Sequence, residues 1–98
     1  EVYVAFQSRF GRAKWLEPAT DTMLEAMPGK GIKKLAIAAP GFASDCLETL
    51  EELAIRGKEQ FESGGGERFA YLPCLNDSAP GMDMLQHLAS RELSGWID

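Results

Sequence analysis

Residues 34–54, KLAIAAPGFASDCLETLEELA, set the expected fold of this chain. After Lys34 the residues as far as Ala39 are apolar in succession, a pattern typical of a central parallel strand that is covered on both faces. Pro40-Gly41 ends that strand, and a helical pattern follows from Asp45 to about Glu62. A buried strand that leads into a helix predicts a parallel sheet with helical crossovers.

The same alternation of strand and helix patterns continues over the rest of the chain. Val2 to Phe6 predicts a first strand, followed by a short helix capped at Thr20 or Asp21. Arg68 to Leu72 predicts a third strand, and Pro80 to about Leu93 a last helix. The expected order is βαβαβα, an α/β fold with a three-layer open parallel sheet. Ligands bind such sheets beyond the carboxyl ends of the strands.

Composition and charge exclude several classes of protein. The 98 residues suffice for one domain at most. Fifteen acidic against ten basic residues give a net charge of −5, which argues against a nucleic-acid-binding surface. No apolar run approaches the roughly 20 residues of a membrane-spanning helix. The chain opens directly in the first expected strand, without a signal peptide, and we expect it to be a piece of a longer protein.

The few sulfur and imidazole side chains do not form a metal-binding pattern. Cys46 and Cys74 lack CxxC spacing, and His87 is the single histidine. Reduced thiols are favoured over a disulfide, and they favour a cytoplasmic location. By pattern alone a surface or half-buried position is favoured for His87, and a cover over an edge of the core is favoured over a ligand platform for Trp15. Arg9 could bind a carboxylate bidentately, but a lone arginine in a loop is weak evidence for such a site.

The helix after Pro40-Gly41 is amphipathic, with one apolar face and one acidic face. On a wheel of 100° per residue, the apolar face collects Cys46, Leu47, Leu50, Leu53, Ala54, Gly57 and Phe61. The opposite face collects Asp45, Glu48, Glu52, Arg56 and Glu59. Gly64-Gly65-Gly66 is expected to stop this helix. A second apolar stripe, on the last helix, comprises Met82, Leu85, Leu88 and Ala89.

Two interpretations of the acidic face remain open at this point. Asp45 and Glu48 have the spacing of a capping box, and acids in a first turn suit the helix dipole. A functional carboxylate is favoured by location instead, because this helix begins at the edge of the sheet where ligands bind. The spacing of Asp45 and Glu48 alone favours a helix cap, whereas the position of the helix at the edge of the sheet favours a functional carboxylate.

Three stretches together resemble the carboxyl-terminal portion of the ferrochelatases, which insert ferrous iron into protoporphyrin IX in the last step of heme biosynthesis. They are FQSRFGRAKWLEPATD (6–21), APGFASDCLETLEELA (39–54) and YLPCLND (71–77). Their order and spacing are those of the family, and the resemblance extends over essentially the whole chain. It implies a fold of two similar α/β lobes around a porphyrin cleft, with residues 1–98 forming most of the second lobe.

The resemblance also implies roles for individual residues. The SDxxETL segment would be an active-site helix with local π winding, in which Glu48 is the catalytic residue. Glu48, Glu52 and Asp45 would be the metal-binding carboxylates, since carboxylates accept protons and bind divalent ions through oxygen. The porphyrin would contact Trp15 and Phe42, with Gln7, Ser8 and Arg9 on a loop at the rim of its pocket.

The chain departs from the family pattern in several ways. The cleft histidine of the family lies upstream of residue 1, His87 does not match its motif, and most of the first lobe is missing, so this fragment alone is expected to be inactive. Arg56 replaces an acid of some members, which argues against an outer metal position there. Two cysteines are too few for a [2Fe-2S] cluster, and no tightly bound cofactor is expected.

Other functions remain open beside iron insertion into protoporphyrin. A related chelatase for cobalt or a different porphyrin would share the same carboxylate chemistry. A non-catalytic α/β binding module would use the acids only as a cap and a solvated face. The sequence leaves metal preference, oligomeric state and peripheral membrane contact of the full-length protein undetermined.

Overall fold

The computed structural model describes residues 1–8 and 11–97, which form a mixed α/β structure around a small parallel sheet. Its elements, in chain order, are α1 (Thr20–Ala26), a 3₁₀ turn (Pro28–Lys30), β1 (Lys34–Ala38), a π-helix (Glu48–Gly57), α2 (Lys58–Ser63), β2 (Arg68–Leu72) and α3 (Ala79–Glu92). None of the helices in the described ranges is long and apolar enough to cross a membrane.

The sheet consists of β1 and β2, which pair in parallel. The register runs from Lys34 opposite Arg68 to Ala38 opposite Leu72. The π-helix continues directly into α2, and together they form the crossover that a parallel pair requires. This strand–helix–strand unit confirms the second and third expected strands and the helix between them.

The core lies between α1, the crossover helix and one face of the sheet. Leu24, Leu53 and Phe61 are at most 2% exposed. The Phe61 ring lies 5.9 Å from the ring of Phe69 on β2, at a tilt of 45°. Apolar burial on this one side of the sheet is what holds the crossover helix in place.

The expectation of a full strand at Val2 to Phe6 is not met. Only Phe6 forms a bridge, parallel to Ala19, while Val2 is 90% and Val4 68% exposed. A groove of about 680 Å³ is lined both by this segment and by β1. The segment has strand-forming residues but lacks a partner strand among the described residues, and an extended chain becomes a strand only by pairing.

The same bridge explains why Thr20 and Asp21 do not cap α1. The N-cap residue is Ala19, which makes no side-chain cap. The Thr20 amide donates to the Phe6 carbonyl at 2.8 Å, so a backbone oxygen replaces the side-chain cap that the sequence suggests. Asp21 accepts instead from the Thr22 amide next to it, at 2.7 Å.

The expected covering of the sheet on both faces is also not seen in the described residues. Along β1 and β2, half-buried residues alternate with exposed ones. The α3 helix forms almost as expected and is capped by Ser78, whose Oγ accepts from the Gly81 amide at 3.2 Å. Its apolar stripe is nevertheless open, since Met82 is 50% and Leu88 39% exposed. The α3 stripe therefore adds little to this core.

The π winding changes which residues of the crossover helix are buried. Thr49, Leu53, Gly57 and Phe61 are buried, whereas Leu47 is 79% and Leu50 50% exposed. An ideal α-helix would bury Leu47, Leu50 and Leu53 together, but hydrogen bonds to the fifth residue widen each turn. Residues four apart then stay on one face, and residues three apart turn away from it. The wheel placement of Leu47 and Leu50 was wrong for this reason.

The triple glycine ends α2 as expected, and one of its members is fixed by a close approach. A Cβ atom on Gly66 would overlap the ring of Phe61, which is fully buried. Only glycine allows the chain to pass over this ring on its way into β2. The helix stop is therefore also a packing position.

Gly66→Ala is expected to destabilise the whole protein by about 1–3 kcal/mol, since an added methyl group must displace a buried ring. Urea denaturation measures the change as a lower midpoint at an unaltered slope. Gly29→Ala is the matched control, because nothing lies within 4 Å of a Cβ at that position. Equal urea midpoints for Gly66→Ala and Gly29→Ala would show that the close contact with Phe61 does not require glycine at position 66.

Candidate functional site

Two carboxylates of the π-helix converge on one hydroxyl group from the start of the chain. Ser8 Oγ lies 2.7 Å from Glu48 Oε2 and 2.9 Å from Glu52 Oε2. Glu48 and Glu52 are one turn apart, with Glu48 exposed and Glu52 half-buried. The structure thus brings together three of the residues that the sequence indicated for the site.

The segment that carries Ser8 is held in place immediately before the site. The Phe6 amide donates to the Pro18 carbonyl at 2.9 Å, and the Phe6 carbonyl accepts from Thr20 at 2.8 Å. Ser8 itself has a φ of 60°, in the left-handed region that residues other than glycine seldom adopt. A conformation of this kind persists when surrounding contacts determine it, here the contacts with the two glutamates.

A cleft of about 1,040 Å³ adjoins this site. It is lined on one side by Gln7, Ser8 and Trp15, from the part of the chain before α1. The crossover helix contributes Glu52, Arg56 and Gln60. The Trp15 indole Nε1 donates to the Gln7 carbonyl at 3.0 Å, which fixes the ring at the cleft wall. The Gln7 side chain has a buried Nε2 that finds no hydrogen-bond partner among the described residues. The cleft thus combines an aromatic ring with several polar and charged side chains.

Phe42, another predicted porphyrin contact, lies outside this cleft. Phe42 is half-buried and lines the groove beside β1, not the cleft of Trp15. Gln7 lines both cavities and lies between them. Arg9 falls outside the described residues.

Asp45 belongs to a different set of contacts from the two glutamates. Its Oδ1 accepts from Tyr71 Oη at 2.7 Å and from Thr49 Oγ1 at 2.9 Å. Its Oδ2 accepts from Asn76 Nδ2 at 2.9 Å and from the Cys74 amide at 3.3 Å. Both oxygens are therefore engaged, and they tie the start of the π-helix to the end of β2.

This arrangement corrects the capping-box interpretation. The Asp45 amide donates to Asn76 Oδ1 at 2.7 Å, not to Glu48, and Glu48 turns instead to Ser8. The N-cap residue of the π-helix is Leu47, and it makes no side-chain cap. The helix is fixed at its start by the loop after β2, and this leaves Glu48 available to Ser8, while Glu52 is the member of the pair that lines the cleft.

The electrostatics of Asp45 follow from these contacts. The hydrogen bonds from Tyr71 and Asn76 lower the pKa of the Asp45 carboxyl well below its usual range, against the opposing effect of burial. Burial and the contacts with Cys74 and Asp45 raise the pKa of Tyr71 above its usual value. Asp45 is thus an ionised acceptor and Tyr71 a neutral donor throughout the ordinary pH range.

The structure does not group the three predicted metal-binding carboxylates. Among residues 1–8 and 11–97, no set of three or more acidic, histidine or cysteine side chains is placed to hold one metal ion. Glu48 and Glu52 approach each other through Ser8, whereas Asp45 is bound by Tyr71 and Asn76. Chemically, the pair offers two carboxylates that can accept protons or bind a cation, beside a cleft.

Residue-level interpretation missed the partners of Asp45. The helical wheel places Thr49 on neither face although it is fully buried, and the sequence indicates Tyr71 and Asn76 only as part of the stretch 71–77. A usable signal was present, because parallel strands place the residues that follow them at one edge of the sheet. The polar residues that follow β2 are therefore expected to lie close to those that follow β1.

Comparison with known proteins decides the family. The family model described as Ferrochelatase matches residues 1–93. The ferrochelatase of Rhizobium meliloti (strain 1021) is 54% identical over 94 residues, 96% of this chain and 28% of that protein. The ferrochelatase of Bradyrhizobium diazoefficiens is 52% identical over 97 residues, 99% of this chain and 28% of that protein.

This chain belongs to the ferrochelatase family. The family match confirms the resemblance of the three stretches, and all of them lie within the matched range. The chain spans only about 28% of the length of the relatives named above. No solved structure gave a significant match.

His87 and Arg56 differ in their position relative to the cleft. His87 lies exposed on α3, and neither it nor α3 lines the cleft. Arg56 lines the cleft and pairs with Glu51 at 3.0 Å. That ion pair is exposed and contributes little stability.

Asp45→Asn is expected to lower the melting temperature of the whole protein at pH 7. The folded-state pKa of Asp45 lies well below the ordinary value of 3.8, so its stabilising effect is present above about pH 3.8 and is lost progressively as the pH falls from there toward the folded-state pKa. The difference in melting temperature between wild type and variant should therefore shrink on acidification. Thermal scans from pH 7 to pH 3 measure it.

Asp83→Asn serves as the control, because Asp83 lies exposed on α3. Its melting temperature should follow that of the wild type at each pH. A difference for Asp45→Asn that stayed constant down to pH 3 would contradict the assignment of an ionised anchor.

Proposed function

We propose that the whole protein is a ferrochelatase, a lyase that inserts ferrous iron into protoporphyrin IX to form protoheme. The observation that carries this proposal is the convergence of Glu48 and Glu52 beside the cleft, in a chain that matches the family over residues 1–93. Iron is a substrate in this reaction, and no tightly bound cofactor is required. The 98 residues alone are proposed to be inactive.

The chemistry of metal insertion requires what the carboxylate pair supplies. Two pyrrole N–H protons must leave as the dication enters, so the reaction needs a proton acceptor and a path on which the ion loses water. Glu48 is proposed as the catalytic base, and Glu52 as the second oxygen ligand of the incoming ion. Exposed Glu48 and half-buried Glu52 would form such a path from solvent toward the cleft.

Asp45 is proposed to support the metal-binding pair as its anchor. Its oxygens already accept hydrogen bonds from Tyr71 and Asn76, which favours a structural contribution over direct contact with iron. By holding the start of the π-helix, Asp45 would determine where Glu48 lies. The predicted set of three metal-binding carboxylates is thereby reduced to Glu48 and Glu52, with Asp45 as a structural support.

The porphyrin is proposed to bind in the cleft of Trp15, with Gln7 and Ser8 at its rim. The indole ring is fixed by its hydrogen bond to Gln7, and the cleft is large enough for a ligand of porphyrin size. Phe42 and Arg9 remain proposed contacts. Phe42 would have to act from the adjacent groove, which meets the cleft at Gln7.

We also propose that the sheet is larger in the whole protein and forms the second lobe of a two-lobe chelatase. Three observations support a larger, three-layer sheet. One edge of β1 lines a groove shared with the strand-like segment Val2–Phe6, small apolar residues of β1 are exposed on its outer face, and the stripe on α3 is open. Pairing with further strands would convert this segment into the expected first strand.

Glu48→Gln is expected to reduce the rate of iron insertion by the whole protein at least about 100-fold, because an amide cannot accept the pyrrole proton. The measurement is anaerobic steady-state formation of protoheme from ferrous iron and protoporphyrin IX. Glu59→Gln, an exposed position on α2 away from the cleft, should leave the rate unchanged.

Near-normal activity of Glu48→Gln would remove Glu48 from the catalytic role. A wild-type protein that inserts cobalt or uses another porphyrin in preference would instead change the proposed substrate and keep the role of the carboxylate.

A further inference from the structure

Ser8 makes contacts that a residue on the rim of a binding pocket does not need. Its Oγ approaches one oxygen of Glu48 and one of Glu52, 40 and 44 residues away in the chain. The two carboxylate oxygens cannot lie further apart than the sum of those two distances. One hydroxyl therefore limits how far apart these two oxygens lie.

The hydroxyl group is suited to this bridging position. It carries one hydrogen, so it donates to one carboxylate at a time and can alternate between them. Hydrogen bonds to charged acceptors are stronger than those to neutral ones. Without this donor, two like charges one helical turn apart repel each other, and flexible glutamate side chains would separate.

The backbone on both sides of Ser8 is also fixed. Trp15 Nε1 donates to the carbonyl of Gln7, which belongs to the peptide group that joins Gln7 to Ser8. Two residues earlier, Phe6 is bound to the chain at Pro18 and Thr20. The left-handed φ of Ser8 then directs its side chain to the π-helix. Trp15, the Gln7–Ser8 peptide and the two glutamates thus form one connected series of contacts.

We propose that Ser8 is a positioning residue that holds Glu48 and Glu52 at the spacing needed to bind the incoming metal ion, and that Trp15 supports it through the Gln7 carbonyl. This inference rests on the proposed function, and it adds a role for Ser8 that differs from contact with the porphyrin. Loss of the hydroxyl group weakens the binding of the metal ion. Porphyrin binding, which uses the Trp15 ring, is largely retained.

The test uses Ser8→Ala and Ser8→Gly in the whole protein. Both lack the hydroxyl, but glycine adopts a left-handed φ freely, so the pair separates the side chain from the backbone conformation. For both variants the KM for ferrous iron should rise about tenfold, as expected when a hydrogen bond to a charged group is lost. The KM for protoporphyrin should stay within about twofold of the wild-type value.

Two further variants sharpen the result. Ser8→Cys keeps a weak donor and should recover part of the affinity for iron. Trp15→Phe keeps an aromatic ring but removes the N–H group that binds the Gln7 carbonyl, and should raise the KM for iron by a smaller factor than Ser8→Ala. Ser90→Ala, on the exposed side of α3, should leave both KM values unchanged.

The outcomes distinguish this inference from the proposed function. An active wild type with normal iron KM in Ser8→Ala and Ser8→Gly overturns the positioning role and leaves the function intact. A rise confined to the KM for protoporphyrin makes Ser8 a porphyrin contact and also overturns it. If the wild type is inactive, anaerobic calorimetry with ferrous iron alone tests Ser8 directly, and a wild type that binds no iron overturns both proposals.

Discussion

The hydrogen bonds of the Asp45 carboxylate determine the rest of the site. Tyr71 and Asn76, from the end of β2 and the loop beyond it, donate to the residue that precedes the π-helix. An ionised carboxylate that receives several donors is a strong connection, and its lowered pKa reflects the same contacts. Because β1, the π-helix and β2 are consecutive, this connection closes the strand–helix–strand unit at the edge of the sheet where ligands bind.

Two consequences follow from that closure. β2 and the loop that follows it hold the start of the helix. The Glu48 side chain therefore does not cap the helix, and its carboxylate contacts Ser8. The wide winding then buries Thr49, Leu53 and Gly57 against the core and leaves Glu48 exposed and Glu52 half-buried. π-helical segments are uncommon and are often found at functional sites, which agrees with the convergence of Glu48 and Glu52 on Ser8 and with Glu52 at the cleft.

Much of the fold from Lys34 onward was predictable, because hydrophobic runs and glycine or proline stops are local signals. The first strand was not, since Val2 to Phe6 becomes a strand only through a neighbour in the sheet. The burial of Leu47 and Leu50 was misjudged because a wheel assumes α winding, although the family resemblance did imply a π-helix. Of the site, Glu48, Glu52, Ser8 and Trp15 were named in advance, whereas the bridging geometry of Ser8 and the anchoring contacts of Asp45 depend on residues 26 to 44 positions apart.

We propose that Glu48 and Glu52 receive the metal ion while Asp45 anchors the helix. Anomalous diffraction from crystals of the whole protein soaked with ferrous iron tests it most directly. We expect an iron peak within about 2 Å of one oxygen of Glu48 and one of Glu52, the usual distance for carboxylate ligands of a small dication, with Asp45 still bound to Tyr71 and Asn76. An iron peak on the Asp45 carboxylate, with Glu48 and Glu52 unoccupied, would contradict this account.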